Sequence, residues 1–130
     1  MQTEEEQTAA IDWMVRTFYE RSFADPVLGP IFREAIHDFE PHVARVVDFW
    51  SDMIHSTKRY KGNVYAAHMK LNFDPEAFDR WIAVLASAAN DSLAPHDAAK
   101  AARIAKHMAV SFKAGMFPFA DKDGKPSRNP

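Results

Sequence analysis

The chain has 130 residues, 47% of them apolar and 26% charged, which suits one folded domain of ordinary size. Its formal net charge of −2 gives no broad attraction to nucleic acid or to an anionic membrane surface. With no cysteine and only four glycines, disulfides, thiolate metal sites, cysteine nucleophiles and Gly-rich phosphate loops are excluded. No apolar run is long enough to span a bilayer. The acidic, polar start from Met1 to Gln7 is unlike a secretory signal, and the expected compartment is the cytoplasm.

In chain order, Thr3 with Glu6, or Thr8, offers a cap for a first helix. Ile11, Met14, Val15, Phe18, Tyr19 and Ser22 then recur at steps of three and four and line one face. Asp25-Pro26 ends that helix, because a residue before proline avoids the helical region. A short helical turn is expected around Pro30 to Glu34. Pro41 suits the first turn of the next helix, on which His42, Val46, Phe49, Trp50 and Met53 share a broad face. Tyr60-Lys61-Gly62-Asn63 reads as a turn, and Val64 to Leu71 as two turns of helix carrying His68. Asp74-Pro75 opens a helix with Phe78, Trp81, Ile82, Leu85 and Ala89. Pro95 starts a long Ala-rich helix containing Ala98, Ala101, Ala105, Met108, Phe112 and Met116. No segment has a convincing period of two, so the expected fold class is all-α. The expected organisation is a single domain over residues 1–117 and a polar, mobile tail over 118–130.

Six histidines, ten phenylalanines and three tryptophans are many for this length. No HExxH and no close His pair with a carboxylate occurs, which leaves a zinc hydrolase poorly supported. His55, His96 and His107 sit among polar residues and read as surface. His68 differs: its short helix lies between the Gly62 turn and Asn72-Phe73-Asp74-Pro75, among Val64, Tyr65, Met69, Leu71 and Phe73. Such a helix can present one neutral imidazole to a flat apolar cofactor. His42, Tyr19 and Trp81 lie on apolar faces of three other helices, each with a polar tip that needs a partner if buried. Read alone, each is more simply a core or cap residue than a ligand-binding one.

Phe18-Tyr19-Glu20, Asp25-Pro26-Val27-Leu28-Gly29-Pro30-Ile31-Phe32, Pro41-His42-Val43, Phe49-Trp50, Tyr60-Lys61-Gly62, Ala67-His68-Met69 and Phe78-Asp79-Arg80-Trp81-Ile82 occur in this order. Together they resemble the truncated haemoglobins, most of all the bacterial group III proteins, over about Thr8 to Met116. The resemblance implies a 2-on-2 helical globin fold around haem b, iron protoporphyrin IX. It implies His68 as the proximal iron ligand, with Tyr19, Trp81 and His42 on the distal, ligand-stabilising side. It places Phe32, Arg45, Val46, Trp50, Met69, Phe73 and Phe78 against the cofactor, Arg45 within reach of a propionate. Val64 stands where the family often has proline, and the Gly-Gly motifs of other truncated groups are missing.

Small ligands implied are O2, NO, CO, cyanide or peroxide, with an unidentified reductase as electron donor, and neither nucleic acid nor a membrane as partner. Two donors aimed at a polar ligand, Tyr19 the main one and Trp81 the second, would slow its release and make the protein a poor carrier. The expectation is therefore oxygen-linked redox chemistry, either nitric oxide dioxygenation or peroxidase-like turnover. The alternatives are an O2 store or ligand sensor without turnover, and a haem-free helical protein whose aromatics are only core. An output domain for a sensor finds no room in the 130 residues.

Overall fold

The computed structural model describes residues 2–130; Met1, at the head of the acidic start, lies outside the described residues. Six helices account for most of the described residues: α1 Glu4–Ala24, α2 Leu28–Ala35, α3 Phe39–His55, α4 Val64–Met69, α5 Pro75–Ser92 and α6 Pro95–Met116. The fold is all-α, as the punctuation implies.

Thr3 and Glu6 form a reciprocal capping box at the head of α1, and Glu4, Glu5 and Glu6 complement the positive end of its dipole. Asp25 ends it and then turns to α2, its carboxylate accepting the N–H groups of Val27 and Leu28 and pairing with Arg80 of α5. Helix α3 starts two residues before Pro41, at Phe39 after Asp38. Pro41 therefore occupies the third helical position, where the missing N–H is still one that no intrahelical carbonyl would have taken. Helix α5 has Pro75 at its first position, as expected.

Helices α5 and α6 pack along each other, α5 also lies along α1, and α1 contacts α3 and α2. The pair α1 and α3 thus covers the pair α5 and α6, the two-on-two arrangement. Close approach of α5 and α6 rests on small buried residues: Ala88 and Ala89 on one, Ala98, Ala101, Ala105 and Ala109 on the other. The core is otherwise aliphatic and aromatic, with Ile11, Met14, Leu28, Phe73 and Phe78 almost fully enclosed.

Two features differ from the sequence expectation. His55 is half-buried, its Nε2 3.0 Å from Oδ2 of Asp97, because the end of α3 crosses the start of α6 there. His96 and His107 are exposed. Residues 118–130, read as a polar tail, contain a two-stranded antiparallel hairpin, β1 Phe119–Ala120 and β2 Pro126–Ser127, with Phe119 opposite Ser127. Asp121 builds its turn by accepting the N–H groups of Asp123 and Lys125. Gly124 takes the left-handed conformation the turn requires, with φ of 81°.

Candidate functional site

The helices enclose a cavity of about 700 Å³, within the range of small-molecule sites, about 300–1,000 Å³. Phe18 and Tyr19 of α1, Phe32 of α2, and His42, Arg45, Val46, Phe49 and Trp50 of α3 form one part of its wall. Val64, Ala67 and His68 of α4, Trp81 and Leu85 of α5 and Met108 of α6 form the rest, with Arg59 to Asn63 at the edge.

Tyr19 is buried because α1 turns this face toward α2 and α3, and its ring meets Phe18, Phe32, Phe39 and His42 edge-on. Burial pushes its phenol well above the ordinary range, so it stays protonated and donates. Its partner is Nε2 of His42 at 2.7 Å. His42 is held below its ordinary value by burial first, then by the charge of Arg45 and by the repulsion that protonating both it and His68 would bring. A neutral His42 accepting at Nε2 carries its proton on Nδ1.

His68 donates from Nδ1 to the carbonyl of Val64, one turn back in its own helix, at 2.8 Å. Burial lowers its pKa, against a smaller opposing effect of that hydrogen bond. The ring is therefore neutral, stacked on Phe112 at 4.5 Å with 15° between planes, and 6.2 Å from Trp81, centroid to centroid. Nε2 has no hydrogen-bond partner among the described residues. Fixing Nδ1–H on a carbonyl is how a protein leaves the other ring nitrogen as a metal ligand. The Trp81 indole N–H also has no partner among the described residues, although Trp81 is buried.

Of the sequence-expected residues, Tyr19, Phe32, His42, Arg45, Val46, Trp50, His68 and Trp81 meet at this one cavity. Met69, Phe73 and Phe78 do not line it. Met69 sits about 100° around the helix from His68 and turns its sulfur toward Gly115 of α6. Phe73 packs behind Phe32 and against Phe78, at 6.0 and 4.9 Å between centroids, so both are core residues one layer away. Arg59, Tyr60, Lys61 and Asn63 join the cavity edge without having been expected there. The Tyr-Lys-Gly turn marks the segment as a loop, but nothing in it says which way the loop folds.

Among the described residues, no three or more His, Asp or Glu side chains converge as a metal cage. A metal held at Nε2 of His68 would have to bring its other ligands with it. The walls fit such a carrier: they are largely apolar and aromatic, and the exposed edge bears Arg45, Arg59 and Lys61 against one carboxylate, Asp48. A flat apolar macrocycle with anionic substituents matches that distribution. No described helix is long and apolar enough to cross a membrane.

No family model matches the chain. The chain is 30% identical over 82 residues to the group 3 truncated hemoglobin of Campylobacter jejuni, a match covering 59% of this chain and 65% of that relative. Its fold is similar to the crystal structure of the group III truncated hemoglobin from Campylobacter jejuni, with a TM-score of 0.80 at 25% identity, over 93% of this chain and 99% of that one. In sequence over part of its length, and in fold over nearly all of it, the chain is similar to the group III truncated haemoglobins.

Proposed function

We propose that this protein binds haem b in the cavity through Nε2 of His68, takes a small diatomic ligand on the side of Tyr19, His42 and Trp81, and uses it in redox chemistry. The reaction is nitric oxide dioxygenation or peroxidase-like turnover fed by a reductase, in the cytoplasm. The observation that carries this reading is the asymmetry of the cavity. One half-buried neutral imidazole has its Nδ1 tied to Val64 and its Nε2 without a partner among the described residues, while Tyr19, His42 and Trp81, each with a polar tip, line the cavity from other helices.

Bound haem supplies diatomic ligand binding and electron transfer at its iron. The chain supplies the rest. His68 anchors the cofactor and Arg45, Arg59 and Lys61 offer cationic partners to its carboxylates. Phe32, Val46, Phe49 and Trp50 exclude water and lower the local dielectric, which strengthens any hydrogen bond to a polar ligand. Tyr19 holds its proton against dissociation, and Trp81 carries an uncommitted N–H. Donors of this kind stabilise developing charge on the ligand.

A second reading, reversible O2 storage, draws support from the Tyr19–His42 hydrogen bond of 2.7 Å. A hydroxyl committed to His42 gives less to the ligand, so release is faster. Steady consumption of nitric oxide or peroxide in the presence of a reductant and a reductase supports the enzyme. Reversible O2 binding without consumption supports the store.

The cofactor is tested by visible absorption of wild type and His68→Ala, each ferric, reduced, and reduced under carbon monoxide. An intense band that shifts with carbon monoxide in wild type, and is lost or strongly altered in the variant, is expected. A folded wild type that takes up no haemin overturns the proposal.

A further inference from the structure

The helix that carries His68 is the least secured in the molecule. Helix α4 has six residues and none is buried. Too short to be stable alone, it needs tertiary partners to fix the direction of the imidazole. On its α6 side, the Tyr65 ring lies 6.0 Å from Phe112, and His68 stacks on the same ring. After its last turn, the chain runs through Lys70 to Phe73 with carbonyls that no helix satisfies.

The C-terminal hairpin reaches these carbonyls. One guanidinium nitrogen of Arg128, just beyond β2, donates to the carbonyl of Leu71 at 2.8 Å and to that of Phe73 at 3.2 Å. The guanidinium lies over the Phe117 ring, 5.1 Å from its centroid, at the end of α6. The hairpin is built locally, since Asp121 and Gly124 set its turn and Phe119–Ser127 and Ala120–Pro126 set its register. Its turn is exposed, and a Cβ placed on Gly124 would meet no atom within 4 Å. The hairpin's directed polar contact with the rest of the fold is Arg128, and that contact falls three and five residues after His68.

We propose that the C-terminal hairpin is a strap, and Arg128 a positioning residue, that fixes the backbone behind His68 and so sets how firmly the cofactor iron is held. The proposal rests on the haem reading for its second half only. A cation at the trailing end of α4 also complements the negative end of its dipole, and charge-assisted donation to two carbonyls outweighs one neutral hydrogen bond. Without Arg128 those carbonyls turn to water and α4 frays from its C-terminal end, where His68 stands.

The test compares full-length wild type, Arg128→Ala, Arg128→Lys and Gly124→Val. Gly124→Val disturbs the hairpin turn through backbone strain at positive φ without touching α4. In haem-free protein, amide exchange over residues 64–73 is expected to be about tenfold faster in Arg128→Ala while α5 and α6 amides keep their rates. Gly124→Val should act in the same direction and Arg128→Lys should restore part of the protection. In haemin-loaded protein, transfer of haemin to excess apomyoglobin should be about tenfold faster, and the iron–histidine stretching band of the reduced form should shift or broaden. Unchanged exchange over 64–73 in Arg128→Ala and Gly124→Val overturns the strap. Faster exchange with unchanged haemin loss and an unchanged band overturns its role toward iron. If Arg128→Ala loses structure throughout, Gly124→Val and Arg128→Lys decide the question. A wild type that takes up no haemin defeats the haem reading, and the exchange data still decide the strap.

Discussion

Replacing Tyr19 by Phe removes one oxygen atom and little else. The ring stays packed among Phe18, Phe32 and Phe39, so the fold survives and the haem-free protein loses only the bond to His42, about 0.5–1.5 kcal/mol. The effect on a bound ligand follows from what the hydroxyl must give up. A donor to a charged acceptor contributes about 1.5–3 kcal/mol. Tyr19 already donates to Nε2 of His42 at 2.7 Å, and turning that proton to a ligand sacrifices about 1 kcal/mol. The net gain is about 0.5–2 kcal/mol, so O2 should leave Tyr19→Phe about twofold to thirtyfold faster than wild type. Stopped-flow dissociation from the reduced, oxygenated protein measures this, with carbon monoxide as the control for a less polar ligand. An O2 rate equal to wild type, or a carbon monoxide rate that rises as much, would refute the donor argument, since only a change specific to the polar ligand reports a hydrogen bond.

Two further outcomes follow from the haem-free protein. His42 sits below its ordinary pKa because of burial, then Arg45 and His68, so between its folded value and about 6.5 the unfolded chain binds a proton that the folded chain refuses. Its contribution is whole above about pH 6.5 and is lost as pH falls toward the folded value; urea midpoints at pH 7.5 and 5.5 should therefore converge in His42→Gln relative to wild type, with His68 still supplying part of the slope. Gly29→Ala should destabilise by about 1–3 kcal/mol, because its Cβ would stand 2.7 Å from the backbone oxygen of Phe23, which cannot swing aside as a side chain would. A melting temperature equal to wild type would contradict that packing.

What the sequence discloses, and what it withholds, divides along physical lines. Proline and capping residues act within a few positions of themselves, so Thr3 with Glu6 and Asp74 with Pro75 are legible from their immediate neighbours alone. Pro41 does not fix its own helix start, because the first and third helical positions both tolerate a missing N–H. His68 is visible as a histidine isolated in a short helix. Adjacency alone would put Met69 at the same site, but one step along a helix is a turn of about 100°, and Met69 faces α6 instead. Phe73 and Phe78 carry the aromatic character of cavity residues, yet lie one layer behind Phe32. The hairpin is hidden because each strand is two residues long, too short to display a period of two. Its one local signal is Asp123-Gly124, a turn pair whose glycine takes the left-handed conformation.

The Tyr19–His42 hydrogen bond also bears on which of the two donors a ligand would feel more. By resemblance Tyr19 has the main role and Trp81 the second. Tyr19, however, has a partner in His42, whereas Trp81 lines the same cavity and its N–H has no partner among the described residues. A donor with nothing to surrender delivers its full contribution of about 1.5–3 kcal/mol to a charged acceptor. Trp81→Phe should therefore speed O2 release about tenfold to a hundredfold, more than Tyr19→Phe. Because Trp81→Phe also opens space beside His68, the carbon monoxide rate is again the reference, and only the excess effect on O2 counts. The double variant discriminates further. If the two donors act on the ligand independently, their effects multiply. If removal of Trp81 frees Tyr19 from His42 to take its place, the double variant loses more than the product of the singles. A Trp81→Phe effect smaller than that of Tyr19→Phe would overturn this ranking.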